Sequence, residues 1–352
     1  MDNKNIPPDD SIVLPITLIV TPQTISSNEQ AVLLSRNMDL SNNNHDLQLA
    51  LETVFLNSVL KINLDKSILE NLRNEMESNQ IPINILQNTG KRYNVKRSTN
   101  VPEYHKMPKD TRTIQLARIP IQYNIMATNS LYNKLSIFDQ GDLGSCVSNA
   151  LSFIYSLLEY KQGNYINITP SRLFIYYNGR VIEKTVQIDN GLEIYDGIST
   201  MKKNGVCDEK LWPYVISRFA TKPSVICYQK AMSGKVISIT PIAQTLIALQ
   251  TAISSGLPIV IGIDVYSSFE NRTVSTTGIV PMPNINTETL LGGHCVVLIA
   301  YNNANRLFTF RNSWGRNWGA AGNGYLPYAY VTNSNLAFDF YTINMVTNPR
   351  II

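Results

Sequence analysis

Gln140-Gly141-Asp142-Leu143-Gly144-Ser145-Cys146 runs directly into Val147-Ser148-Asn149-Ala150-Leu151, and the reading of this stretch decides the rest. A glycine-flanked cysteine stands where a helical pattern begins, with a glutamine amide six residues before it. Unsatisfied N–H groups and the helix dipole lower the pKa of a thiol at a helix N-terminus, and only the thiolate is a useful nucleophile. A glutamine side chain can donate to an oxyanion forming beside the sulfur. Leu151, Ile154, Leu157 and Leu158 share one face of the helix, and Gly163 supplies its stop.

Cysteine catalysis also needs a base and a group that orients the base. The chain has only three histidines. His45 lies in an Asn-rich loop and His105 among basic and proline residues. His294 stands at a strand entrance, after two glycines that permit close backbone approach. Asn312 follows one hairpin later, with an amide oxygen able to accept from the imidazole. Trp314 is placed to shield that hydrogen bond from water.

The 352 residues, 44% of them hydrophobic, suffice for a substantial core. A net charge of +4, without a long basic run, argues against nucleic acid as a partner. Four cysteines are too few for a disulfide scaffold. Cys295 sits in an apolar run and reads as a small core residue, and only Cys207 and Cys227 are plausible disulfide partners. The same two residues lack the neighbours of a metal site, so no metal is expected. The apolar stretch Ile12–Val20 follows acidic residues and contains Pro15, unlike a secretory signal. No run reaches the length of a membrane span. These features read as a soluble protein, cytoplasmic or associated with a particle.

The chain divides into an N-terminal extension, residues 1–110, and a compact α+β unit, residues 111–352. Ser11 to Thr21 is extended in character, and Asp46 to Asn79 carries two helical patterns. Between Asn88 and Arg112 apolar periodicity stops and basic residues are scattered, which reads as a solvated linker open to cleavage. Downstream, helical signals lie at 197–203 and 245–254. Strand-like runs lie at 258–265, 295–301 and 306–311, with Asn302–Asn305 as a hairpin turn.

Taken together, Gln140 through Cys146, Gly293-His294 and Asn312-Ser313-Trp314-Gly315-Arg316-Asn317-Trp318-Gly319 resemble the papain-like cysteine peptidases. Gly205-Val206-Cys207 through Trp212-Pro213-Tyr214, Pro258 to Phe269 and Gly324 to Tyr328 resemble further segments of that family. The resemblance covers roughly residues 113–345 and implies a two-lobed fold, a helical lobe and an antiparallel β lobe with a cleft between. It implies Cys146 as nucleophile, His294 as base and acid, Asn312 as its orienter, and Gln140 as oxyanion donor. Trp314 would cover the His–Asn contact and Trp318 would line the leaving-group side. Asn190-Gly191 would pair with substrate backbone, although the family's second glycine is Leu192 here. Val147 and Leu143 replace a tryptophan and a disulfide cysteine, which points to a disulfide-poor microbial or viral branch.

The expectation is an endopeptidase acting on proteins or peptides through an acyl-enzyme, without a cofactor. The extension would bind its own cleft as the prosegment of a zymogen. The alternatives are an acyl-transferring or single-substrate processing enzyme on the same fold, or a non-enzymatic binding protein. For the extension, the alternative is a docking module.

Overall fold

The computed structural model describes residues 13–17, 35–39, 91–99, 101–102, 119–163 and 168–347. Contacts divide the chain into two units, Met1–Thr89 and Gly90–Ile352. In the first unit, β1 (Val13–Thr17) and β2 (Ser35–Asp39) pair antiparallel, with Val13 opposite Asp39. The extended reading of Ser11–Thr21 is thus met over β1. The helical pattern at 46–79 and His45 lie outside the described residues, as does His105.

The second unit is built around α1 (Cys146–Lys161), which the sequence places correctly. Its residues 146 to 159 are buried on every face, as expected of a helix enclosed by other elements. The helix stops because Gln162 caps it and Gly163 follows in the left-handed region, φ 76°. Around it lie α2 (Arg172–Glu183) and α3 (Ile194–Lys203), which pack on one another and on α1. The helix α2 is not singled out by the sequence reading. Its signal is local: the Ser171 side chain accepts from the Phe174 N–H at 3.1 Å, an N-cap directly after Pro170. The helices α4 (Val225–Ala231) and α5 (Leu246–Ser254) follow later in the chain.

The other layer is an antiparallel sheet of β3 (Gln122–Asn124), β4 (Val236–Pro241), β5 (Ile259–Tyr266), β6 (Leu290–Asn302), β7 (Leu307–Arg311), β8 (Asn323–Pro327) and β9 (Ala337–Val346). The order is β4-β9-β5-β6-β7-β8, and β3 also pairs with β6. The runs at 258–265, 295–301 and 306–311 therefore correspond to β5, β6 and β7. The strand β6 starts earlier, at Leu290, because Gly292 and Gly293 pair with Val265 and Asp264 of β5. This extension carries His294 inside the sheet rather than at its entrance. The four cysteines are free and buried, Cys207 and Cys227 included.

One side chain ties the helices to the segment that precedes the nucleophile. The Arg172 fork donates to Glu209 at 2.9 and 2.7 Å, and its remaining nitrogen reaches Asp139 O at 3.1 Å and Asn149 Oδ1 at 3.0 Å. Its guanidinium also lies 3.8 Å from the Tyr214 ring centroid. Arg172→Met strands the Glu209 carboxylate and frees the 139–140 backbone, so we expect a loss of about 3 kcal/mol. By thermal denaturation, this corresponds to a midpoint lowered by roughly 6–12 °C. Arg172→Lys should not restore it, because a single ammonium cannot reproduce the planar fork. An unchanged midpoint in either variant would contradict this account.

Candidate active site

Cys146 is the first residue of α1 and is fully buried. Burial pushes its thiol up to about 12, against the downward pull of hydrogen bonds from the backbone of Cys295, Val147 and Cys146 itself; the Asp189 charge adds to the rise. The favourable helix terminus is therefore outweighed by desolvation in this state. The strand β6 supplies His294, and the turn after β7 supplies Asn312. His294 Nε2 lies 2.8 Å from Asn312 Oδ1. Asn312 Oδ1 also accepts the Ser313 N–H at 2.8 Å, which identifies it as the carbonyl oxygen. Nε2 must then carry the proton, leaving Nδ1 as the lone pair of the neutral ring. Nδ1 is buried and without a hydrogen-bond partner among the described residues.

Burial also lowers His294, to about 4; the Asn312 hydrogen bond opposes this, and the nearby Lys91 ammonium adds to it. Thiol and imidazole are consequently both neutral at pH 7 in this arrangement. Trp314 stacks on the imidazole, 4.6 Å between centroids at 25°. Trp318 meets Trp314 edge-on at 5.2 Å and is itself 5% exposed, so it backs the site rather than facing solvent. Gln140 is fully buried, its Nε2 donating to Leu143 O at 2.9 Å. Its Oε1 accepts from Ser313 Oγ at 2.7 Å. Ser313 thus fixes which end of the amide faces which way, a role not apparent from the sequence.

The remaining named residues divide. Gly191 adopts φ +75°, and a Cβ there would fall 2.0 Å from Asn94 O, so its backbone is in close approach to another chain segment. Asn190 is half-buried, and its N–H is used locally, by Ile188 O at 2.9 Å. Leu192 is a core residue, packed where a side chain at Gly179 would collide with it.

The segment approaching Gly191 was expected to be a solvated linker. Residues 91–99 instead belong to the same unit as the site and cover it. Asn94 bridges Gly293, and the Val95 N–H donates to Gly293 O at 3.0 Å. Tyr93 stands edge-on to both His294 and Trp314, and Lys91 Nζ lies 3.9 Å from the Trp314 ring centroid. Apolar periodicity was missing here because an extended segment lodged in a groove buries single side chains, such as Val95, rather than a stripe.

Because the described histidine sits beneath Tyr93 and beside Lys91, its titration reports the cover directly. In the full chain, the His294 ring should stay neutral down to a midpoint near 4, read by NMR. Lys91→Ala removes a positive charge and should raise that midpoint. A wild-type midpoint at or above the usual 6.5 would contradict the buried geometry.

Comparison with known proteins identifies relatives of the chain. The model of the papain family cysteine proteases matches residues 136–339. An uncharacterized peptidase C1-like protein of Acanthamoeba polyphaga mimivirus is 41% identical over 230 residues, 63% of this chain and 74% of that protein. Xylellain, a cysteine protease from Xylella fastidiosa, is 32% identical, with a TM-score of 0.65 over 72% of this chain and 97% of its own. Digestive procathepsin L 3 of Tenebrio molitor shares the fold at 15% identity, with a TM-score of 0.53 over 85% of this chain and 94% of its own.

Proposed function

Since the chain belongs to the papain family of cysteine proteases, we propose that it cuts peptide bonds through a thioester on Cys146, and that it is made in a form covered by its own N-terminal part. The observation that carries the chemistry is the His294–Asn312 pair at 2.8 Å, with Nδ1 left free and Cys146 at the start of α1. With the cover gone, water and substrate enter and the desolvation that keeps both groups neutral is relieved. The thiol proton passes to His294 Nδ1, and the sulfur attacks the peptide carbonyl carbon. The new C–S bond places charge on the carbonyl oxygen, where the Gln140 amide and the Cys146 N–H stabilise it. Collapse breaks the C–N bond, and His294 hands its proton to the departing amine. Water, deprotonated by His294, then cleaves the thioester and restores the thiol.

Asn312 holds the imidazole with Nδ1 toward the sulfur throughout, and Trp314 keeps water from that bond. The cover works by two physical means. It occupies the groove at Gly191 and Gly293, and it excludes the water that an ion pair would need. We assign residues 1–110 as the prosegment, of which 91–99 make the contacts described above, and the peptidase proper to 111–352.

The test compares the intact full-length chain with the same chain opened by limited proteolysis, on a fluorogenic peptide. Opening should raise the rate roughly tenfold or more, because a blocked groove multiplies the apparent affinity by the open fraction. Cys146→Ala should abolish turnover, and Asn312→Ala should lower kcat by about 10²-fold, the scale of a mispositioned acid–base group. Equal rates before and after opening contradict the covering role. An opened chain that hydrolyses no peptide contradicts the peptidase reading, and transfer to added amines in place of hydrolysis redirects it to acyl transfer.

A further inference from the structure

The segment 91–99 reads Lys-Arg-Tyr-Asn-Val-Lys-Arg-Ser-Thr, with four basic residues and no acidic one. Its basic side chains fall among acids of the groove. Lys91 feels the charges of Glu270 and Asp139, Arg92 Nε lies 3.3 Å from Asp189, and Lys96 acts on Glu183. The sharpest station is that of Arg97. Its Nη2 lies 3.2 Å from Asp264 Oδ2, and its guanidinium sits 4.4 Å from the centroid of the Phe338 ring. The next two residues continue along the same wall. The Ser98 N–H donates to Asp339 at 2.6 Å, and the Thr99 N–H donates to Glu193 at 2.9 Å.

This wall is made by rigid elements. Asp264 stands on β5 directly opposite Gly293, one residue before His294. Phe338 and Asp339 stand on β9, where the pairing slips: Gly262 faces Phe338 while Val260 faces Tyr341. Three residues of β9 therefore span what two span on β5, and Asp339, within the bulge, takes φ +56°. A bulge of this kind re-aims a side chain beside a site, and aspartate is among the residues that tolerate the left-handed region. Asp339 receives a backbone N–H but no cation at ion-pair distance among the described residues, while burial raises its carboxyl. A lone acidic cluster would be a solvated surface; here a guanidinium is already seated on it, over an aromatic face.

We propose that this wall is a substrate subsite for a basic side chain, arginine above all, and that Arg97 occupies it in the covered form. The proposal rests on the peptidase reading above. An extended peptide that pairs with Gly293 and Gly191 as residues 94 and 95 do would bring a side chain to the same carboxylates and the same ring. A planar guanidinium can meet both at once, which an ammonium or an aliphatic chain cannot.

The experiment uses the full-length chain opened by limited proteolysis and pairs of fluorogenic peptides that differ only in arginine or citrulline, its neutral isostere. The pair is placed in turn at each of the three positions before the cleaved bond. At one position, arginine should be favoured about tenfold or more in kcat/KM, the scale of one charge-assisted hydrogen bond. Asp264→Asn with Asp339→Asn should bring that ratio close to one, read within the variant so that its overall rate does not enter. Equal use of arginine and citrulline at all three positions by the wild-type chain overturns the proposal and leaves the peptidase reading intact. A ratio that persists in a folded double variant also overturns it. Hydrolysis of neither peptide contradicts the peptidase reading itself.

Discussion

The strand β6 enters the sheet between β5 and β7, and this placement puts His294 in a fully buried position with one nitrogen committed to Asn312 at 2.8 Å. Everything else in the site is arranged around that committed nitrogen. Asn312 is held by Ser313, Ser313 also holds Gln140, and the Gln140 amide stands over the turn that leads into Cys146. A displacement of the imidazole would therefore be felt by the oxyanion donor as well as by the base. Trp314, stacked on the ring and backed by Trp318 and Phe269, fixes the plane in which the imidazole can lie.

In the proposed function, the same burial that fixes the geometry also keeps it inert while residues 91–99 are in place. A thiolate–imidazolium pair is two charges, and in a dry site the desolvation cost exceeds what their attraction returns unless hydrogen bonds and water help. The cover supplies neither, and the Lys91 ammonium over Trp314 further disfavours a positive imidazole. Under that proposal, covering and switching off are one physical event. If the proposed subsite is right, the acids that receive the basic side chains of the cover also receive those of a substrate, which connects the proposed restraint to the peptides the chain would accept.

Much of this is legible in the sequence because the chemistry is local to short motifs. Cys146 at a helix start, His294 after paired glycines and Asn312 beside Trp314 are separated in sequence, yet each sits in a context with its own physical signature. The strands β5 to β7 are legible for the same reason, as apolar runs around a polar turn. The helix α2 is missed because its start depends on a single serine cap after a proline. That 91–99 is the stretch in the groove is missed, although the extension is expected to bind its own cleft, because its residues show no period and its basic side chains read equally well as a solvated linker. Their meaning lies in Asp189 and Asp264, carboxylates far from them in sequence that only the fold brings to the segment. Ser313 is hidden for a related reason: its partner, the Gln140 amide, is 173 residues away.

Under the proposed function, the sulfur of Cys146 takes up the acyl group, and only when residues 91–99 have left the groove. Rapid-quench mass spectrometry with a slowly deacylating activated ester tests it most directly, applied to the covered and the opened full-length chain. One acyl adduct per opened chain, mapped to Cys146, is expected, and none on the covered chain. Turnover of the ester by the opened chain with no adduct on Cys146 would contradict it, as would equal acylation of both forms.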